Sequence, residues 1–166
     1  ILIRGLFIFL FLVPTSAFAI ECIGPQKAHH FLVYLHGMDT KTPGEQEQSN
    51  RKKLAVMAEN LNLRIAVPRA VNSCPKDKNL VCWGWNFNDQ TVIEKALASV
   101  DAAAKECFPK EKKLGLIGFS NGGFVANQII KDCTKTDFSW FVSIGAAGSW
   151  TQNNSKNLSH CGTLKL

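Results

Sequence analysis

The chain has 166 residues, 46% hydrophobic and 19% charged, a composition that excludes a disordered protein and suffices for one domain with a core. Its formal net charge is +6, but the lysines and arginines are scattered and no aromatic residues interleave with them in a basic stripe. We therefore expect no nucleic-acid partner and interpret the charges as solvated loop and helix faces.

Residues 1–19 have the pattern of a secretory signal peptide. Arg4 precedes an apolar run over residues 6–13, and Ala17-Phe18-Ala19 supplies a small-residue cleavage site. A membrane anchor is the alternative, but the run is far shorter than the ~20 apolar residues that a span needs. We therefore expect cleavage after residue 19, no stable membrane insertion, and a secreted or periplasmic domain over residues 20–166.

The chain contains six cysteines, which fit such an oxidising compartment. They are Cys22, Cys74, Cys82, Cys107, Cys133 and Cys161. Their spacing matches no zinc pattern, so we expect no metal site. We also expect no cofactor. Disulfides are the favoured interpretation, and Cys74–Cys82 is the preferred pair because it would pin one loop. The other pairings stay open.

The expected domain opens with a strand, a loop and a helix. Phe31–Leu35 is a continuous apolar run, typical of a strand buried on both faces. Breaker residues over positions 38–44 predict a loop. A helix is predicted over about Glu45–Asn60, where apolar residues recur at helical spacing.

A second strand and a long loop follow. Leu63–Pro68 predicts a short strand that is ended by its proline. The predicted loop Arg69–Asp89 carries Trp83, Trp85 and Phe87, and loops of this length are usually functional or disordered. We favour order, because the loop is aromatic and holds two cysteines. Its aromatic side chains either fill the core or line a substrate cleft, for which Trp83 and Trp85 are the candidates.

The second half continues the alternation of helices and strands. Helices are predicted over Thr91–Cys107, with Asp89 as N-cap, and from the serine turn described below to near Cys133. Strands are predicted over Leu114–Ile117 and Phe138–Gly145, and a further one begins at Thr163–Leu166. This order predicts an α/β fold with a mostly parallel sheet, flanking helices and right-handed crossovers.

The most informative stretch is Gly118-Phe119-Ser120-Asn121-Gly122, between a predicted strand and a predicted helix. It matches G-x-S-x-G, in which a serine is forced onto a sharp strand-to-helix turn. Gly118 and Gly122 remove side chains that would collide where strand and helix pass. The hydroxyl then stands above the sheet, beside a helix N-terminus that favours negative charge. Ser120 is therefore the predicted catalytic nucleophile.

Acyl transfer through a serine also needs donors for the oxyanion, a general base and a group that orients the base. One predicted donor is the backbone N–H of Asn121, directly after the nucleophile. The other is the backbone N–H of Met38, in the turn that follows the first predicted strand. His36 in this turn is expected to pack beneath it rather than act as the base, because the base follows the serine along the chain.

The base and its acid have only weak candidates in the sequence. Asp132 and Asp137 are expected at the end of the serine helix and before the next strand, on the side away from the nucleophile. His160 is the only histidine after Ser120, and no suitable acid-bearing strand end precedes it. We therefore expect a domain truncated at its C-terminus, with the acid and the histidine beyond Leu166.

These motifs resemble those of the α/β-hydrolase superfamily and, more narrowly, of exported esterases of the polyhydroxybutyrate-depolymerase and feruloyl-esterase type. The resemblance rests on Leu32–Gly37, Cys82-Trp83-Gly84-Trp85 and Gly118–Gly123, and spans about residues 30–148. It departs from that family at Asn121, where alanine is common, and in the missing acid and histidine. It implies hydrolysis of a small-molecule or polymer-borne carboxylic ester through an acyl-serine intermediate.

Two other interpretations stay open. A peptidase or an acyltransferase uses the same machinery, because a fold does not fix a reaction. A non-catalytic binding protein would keep the fold without the triad. The missing acid and histidine favour the binding protein if Leu166 is the natural end, whereas the intact serine turn favours the hydrolase if the chain is a fragment.

Overall fold

The protein is described by a computed structural model that covers residues 20–86, 89–110, 113–132 and 138–146. The predicted signal peptide and the predicted strand Thr163–Leu166 lie outside the described residues. The described elements in chain order are β1 Glu21–Ile23, β2 His30–Leu35, β3 Asp39–Thr40, α1 Glu45–Asn60, β4 Leu63–Val67, β5 Asn72–Ser73, β6 Leu80–Cys82, α2 Gln90–Cys107, β7 Leu114–Phe119, α3 Asn121–Asp132 and β8 Phe138–Ile144.

A five-stranded sheet in the order β1-β4-β2-β7-β8 forms the centre of the described domain. Strands β4, β2, β7 and β8 are parallel, while β1 is antiparallel and pairs its Cys22 with Ala66 of β4. Helices connect the successive parallel strands, as parallel pairing requires. The predicted α/β fold with a mostly parallel sheet is therefore confirmed.

Side chains cover both faces of this sheet, which explains the continuous apolar runs in β2 and β7. Val33, Leu35 and Leu116 pack with residues of α2 and α3 on one face. Leu32 and Ile117 pack with residues of α1 on the other. Each fully buried aliphatic side chain contributes roughly 2 kcal/mol, so a slip of one residue in strand register would be costly.

The three predicted helices are confirmed, two of them almost to the residue. Helix α1 has the predicted bounds, and α2 begins at Gln90, one residue earlier than predicted. Asp89 is the N-cap of α2, and its carboxylate accepts a hydrogen bond from the N–H of Thr91 at 2.9 Å. Of the helices described, none combines the length and the apolar character that crossing a bilayer requires.

The predicted loops contain short strands that the sequence did not indicate. Strands β3, β6 and β5 form a small antiparallel sheet, in which Val81 lies opposite Asp39 on one side and Ser73 on the other. The predictions of loops over 38–44 and 69–89 are wrong for these residues, and β1 was not predicted. Strands of two or three residues are too short to show a periodic pattern.

Two cysteine pairs are joined as disulfides. Cys74 and Cys82 have Cα atoms 5.4 Å apart, which confirms the preferred pair and closes the loop between β5 and β6. Cys22 and Cys107, 5.5 Å apart, tie β1 to the end of α2 across 85 residues of sequence. Cys133 and Cys161 lie outside the described residues.

Candidate active site

Ser120 forms the turn between β7 and α3. Its φ is +50°, in the left-handed region that serine rarely adopts, at a cost of about 1–3 kcal/mol. Hydrogen bonds hold the turn on both sides. The N–H of Ser120 donates to the carbonyl oxygen of Ile144 at 2.8 Å, and the carbonyl oxygen of Ser120 accepts from the N–H of Phe124 at 3.1 Å. The neighbouring strand and helix thus enforce the conformation that the G-x-S-x-G pattern predicts.

Two glycines permit the tight corner around this serine. A Cβ at Gly118 would lie 2.7 Å from Gly123 Cα and 2.8 Å from Ala126 Cβ. A Cβ at Gly122 would lie 2.5 Å from the carbonyl oxygen of His36. Any other residue at either position would push α3 away from the ends of β2 and β7.

The turn after β2 lies directly against the nucleophile turn. A Cβ built on Gly37 would be 3.2 Å from Ser120 Cβ and 3.2 Å from the Phe119 ring. Met38, a predicted source of an oxyanion donor, is the next residue. The sheet register explains this proximity, because β2 and β7 are parallel neighbours and end at the same edge of the sheet.

Asp39 anchors the chain just after Met38. Its carboxylate pairs with the Arg69 guanidinium at 2.9 Å and accepts hydrogen bonds from the N–H groups of Gly44 and Thr40 at 3.0 and 2.9 Å. Burial raises the pKa of Asp39, but these donors outweigh it and lower the pKa overall. A charged, fixed carboxylate therefore holds the turn that carries Met38.

A pocket of about 270 Å³ opens at Ser120. It is lined by Met38, Trp85, Ser120, Asn121 and Phe124. The side chains of Met38 and Trp85 are 45% and 44% exposed, so they form its accessible rim. The structure thus gathers Ser120, both residues predicted to supply oxyanion donors, and one of the two predicted cleft tryptophans around one opening.

Trp83 lies outside the lining of this pocket. It is only 4% exposed, and its indole N–H donates to the carbonyl oxygen of His36 at 2.9 Å. Of the two alternatives for the aromatic loop, Trp83 occupies the core and Trp85 faces the pocket. Phe87 lies outside the described residues.

His36 is fully buried beneath the turn after β2, where the sequence predicts it. Its Nε2 accepts a hydrogen bond from the N–H of Ala70 at 2.9 Å. The proton of the neutral ring is therefore on Nδ1, which donates to the carbonyl oxygen of Gly37 at 2.6 Å. Burial lowers the pKa of His36 to about 4, so the ring is neutral at physiological pH. Both ring nitrogens are already hydrogen-bonded, so neither is available to Ser120.

Asn121 makes contacts that the sequence did not indicate. Its side chain is buried, its Oδ1 accepts a hydrogen bond from the N–H of Trp83, and its Nδ2 donates to the carbonyl oxygen of Gly84, each at 2.9 Å. This amide therefore joins the first residue of α3 to the aromatic loop. Position 121 is a variable position of the G-x-S-x-G pattern, so the motif carries no signal for these contacts.

None of the histidines in the described part of the chain is placed to act as a base for Ser120. His29 and His30 lie at the amino-terminal end of β2, whereas Ser120 follows the carboxyl-terminal end of the parallel strand β7. His36 is occupied as described. Asp137, His160 and the side chain of Asp132 lie outside the described residues, so their roles stay predictions.

Solved structures share the fold of this chain. YahD, solved with malic acid, is 15% identical with a TM-score of 0.51, over 79% of this chain and 66% of that protein. A lipase-esterase related protein from Clostridium acetobutylicum is 14% identical with a TM-score of 0.50, over 75% of this chain and 44% of that protein. The chain thus spans less than two thirds of either protein. No protein-family model and no curated protein sequence matches it.

The parallel sheet, the serine turn and these two likenesses together define an α/β-hydrolase fold. At 14–15% identity the likenesses establish the fold, and the reaction has to be argued from the site. The narrower resemblance to polyhydroxybutyrate depolymerases and feruloyl esterases stays a prediction.

Proposed function

We propose that the protein is an exported serine hydrolase that cleaves a carboxylic ester through an acyl-serine intermediate. The observation that carries the proposal is the backbone of Ser120, held at φ +50° by its neighbours at the mouth of a pocket. Strained residues cluster at active sites, where the surrounding structure over-determines them. Ser120 Oγ attacks the ester carbonyl, the alcohol leaves, and water then hydrolyses the acyl-serine.

The backbone N–H groups of Met38 and Asn121 are the proposed oxyanion donors. Both residues line the pocket together with Ser120, and Asn121 is the first residue of α3. A helix N-terminus favours negative charge, so the start of α3 adds to the effect of the two donors. One donor of this kind is typically worth ~10²–10³ in kcat.

The proposed base is a histidine oriented by an acid, both from a part of the protein outside the described residues. A serine hydroxyl is a weak nucleophile until a base takes its proton. His36 does not meet this need, because its pKa is about 4 and both of its ring nitrogens are hydrogen-bonded.

The pocket and the cysteines support the ester substrate and the export. Met38, Trp85 and Phe124 give the pocket a mainly apolar wall, which suits the acyl part of an ester borne by a small molecule or a polymer. Two disulfides fit a secreted or periplasmic location, where such bonds persist.

Covalent labelling by a fluorophosphonate probe tests the proposal. The full-length, exported protein is expected to label, and Ser120→Ala to lose all labelling. Ser99→Ala, which removes a serine from α2, is the matched control and is expected to label normally. Labelling that persists in Ser120→Ala would show that another residue is the nucleophile. A folded protein that never labels would favour the non-catalytic binding protein.

Hydrolysis assays then separate the reactions that share this machinery. We expect p-nitrophenyl esters to be hydrolysed with the same dependence on Ser120, and peptide anilides to be left intact. Cleavage of the anilide with comparable kcat/KM would make the protein a peptidase instead.

A further inference from the structure

We infer that the Asn121 side chain positions the aromatic wall of the pocket and so limits the enzyme to esters of short, uncharged acyl groups. The inference rests on the proposed function, because it concerns the substrate of the same site. Asn121 acts here through Trp85 and is a positioning residue, in addition to the donor role proposed for its backbone N–H.

The hydrogen bonds of Asn121 reach the two residues that precede Trp85. Its Oδ1 accepts from the N–H of Trp83 and its Nδ2 donates to the carbonyl oxygen of Gly84, both at 2.9 Å. Asn121 is 5% exposed, so water does not compete well for either bond. Because Asn121 follows Ser120 directly, the two bonds tie the backbone just before Trp85 to the residue next to the nucleophile.

The loop is also held from its other sides. A Cβ at Gly84 would lie 3.1 Å from one methyl carbon of Val92 and closer still to the other, so the loop packs tightly on α2. The Trp83 indole fastens the residue before Gly84 to the carbonyl oxygen of His36. Residues 83 and 84 thus contact Val92, His36 and Asn121. Of these three, Asn121 is the one that adjoins the nucleophile.

The size and lining of the pocket indicate the acyl group. Its volume of about 270 Å³ is below the ~300–1,000 Å³ usual for pockets that hold drug-sized ligands. None of its lining residues, Met38, Trp85, Ser120, Asn121 and Phe124, carries a formal charge. Trp85 stands at the rim of this pocket, with the Lys76 ammonium 5.2 Å from its ring centroid, so an acyl chain too long for the pocket would meet this ring.

The selectivity for acyl length tests this role. In the full-length protein, Asn121→Ala removes both side-chain bonds and keeps the backbone N–H. We expect the ratio of kcat/KM for p-nitrophenyl butyrate over octanoate to fall about tenfold, the equivalent of one to two ordinary hydrogen bonds. Asn121→Ser keeps a neutral hydroxyl that can make at most one of the two bonds, so a smaller fall is expected. It also serves if the alanine variant fails to fold.

Asn127→Ala is the matched control. Asn127 is a buried amide on the same helix, 7% exposed, and its Oδ1 has no hydrogen-bond partner among the described residues. Its removal is expected to leave the selectivity ratio unchanged. An unchanged ratio in both Asn121 variants, or an equal fall in Asn127→Ala, would overturn the inference.

A second readout does not depend on catalysis. Acrylamide quenching of Trp85, taken as the difference from Trp85→Phe, is expected to rise in Asn121→Ala as the loop loosens. If the unaltered protein does not label at Ser120, the proposed function fails and quenching still tests the positioning. Unchanged quenching in Asn121→Ala would overturn the positioning, even in an active hydrolase.

Discussion

Two polar clusters, one half-buried and one buried, differ in how they are built. The first begins at Tyr34 on β2, and the second begins at His36 just after it. The first, here the helix cluster, is Tyr34, Glu47, Asn50 and Arg51. The Tyr34 hydroxyl donates to Glu47 at 3.2 Å and accepts from Asn50 at 3.2 Å, and Glu47 accepts from Arg51 at 2.9 Å. Arg51 also pairs with Glu21. The helix cluster thus fastens α1 to the sheet through charged side chains.

The second, here the turn cluster, is His36, Trp83 and Asn121. Each of the hydrogen bonds given above for these side chains has a backbone N–H or carbonyl oxygen as its partner. The three side chains are neutral and hold the loops that meet beside Ser120. The proposed chemistry uses backbone N–H groups. Neutral side chains hold the loops around Asn121, while the charged Asp39–Arg69 pair anchors the turn that carries Met38.

The largest expected loss of stability comes from a substitution in the close packing beside the turn cluster. In Gly122→Ala the new Cβ would clash with the backbone of Leu35 and His36, which flexible side chains cannot relieve. We expect the free energy of unfolding, measured by denaturant titration, to fall by about 3 kcal/mol or more.

Gly44→Ala, just before α1, is the control for Gly122→Ala. Its Cβ would lie 3.1 Å from a carboxylate oxygen of Asp39, a contact that a shift of a few tenths of an ångström relieves. The expected loss is within about 1 kcal/mol. Equal losses of stability in Gly122→Ala and Gly44→Ala would contradict the difference in packing around the two glycines.

The next largest effect is the pH dependence of stability, which differs between the two clusters. Burial holds the pKa of His36 at about 4, against 6.5 for an ordinary histidine. Between these values the unfolded chain binds more protons than the folded one, so stability falls as pH drops from 6.5 to 4. The loss attributable to His36 amounts to about 3 kcal/mol.

Glu47 in the helix cluster changes stability with pH in the opposite direction. Burial raises the pKa of Glu47, so just above its ordinary value of 4.5 the folded chain binds more protons, and stability falls as pH rises. Denaturant titrations from pH 4 to 7 measure the sum of both effects. We expect His36→Gln to remove most of the rise of stability with pH, the remainder coming from Asp39, whose pKa is lowered. An unchanged slope in His36→Gln would show that His36 does not titrate as described.

Much of the fold was predictable because burial leaves a pattern in the sequence. Strands β2, β4 and β7 are covered on both faces and read as apolar runs, and α1 and α2 show helical spacing. Strands β3, β5 and β6 have two or three residues each, too few for any period. Ser120 was predictable because its geometry demands glycine two residues to either side, and this demand is written in the sequence as G-x-S-x-G.

The turn cluster was predictable only in part. The position of His36 followed from motif order, but the partners of Asn121 are backbone atoms 38 and 37 residues away. Bonds to backbone groups set no requirement on the residue type of the partner, so they leave no trace in its sequence. Trp83 and Trp85 are two residues apart, and nothing in their identities tells which one faces the core.

A smaller effect tests the indole in the turn cluster. Trp83→Phe removes the N–H donor to His36 and leaves a buried carbonyl oxygen without that partner. We expect a loss of about 1–2 kcal/mol in the free energy of unfolding. Trp85→Phe, at a side chain that is 44% exposed, should stay within about 0.5 kcal/mol. A larger loss at Trp85 would mean that the loop is anchored by its exposed residue.

The smallest effect is expected in the helix cluster. Glu47→Gln keeps an acceptor for the Tyr34 hydroxyl, while Arg51 retains Glu21 as an ionic partner, so a loss of about 1 kcal/mol or less is expected. Fluorophosphonate labelling of Ser120 should keep its rate, because Tyr34 packs on the α1 face of the sheet and no member of the helix cluster lines the pocket. Slower labelling in a variant of unchanged stability would show that the charge of Glu47 reaches the nucleophile, and the two clusters would then act as one.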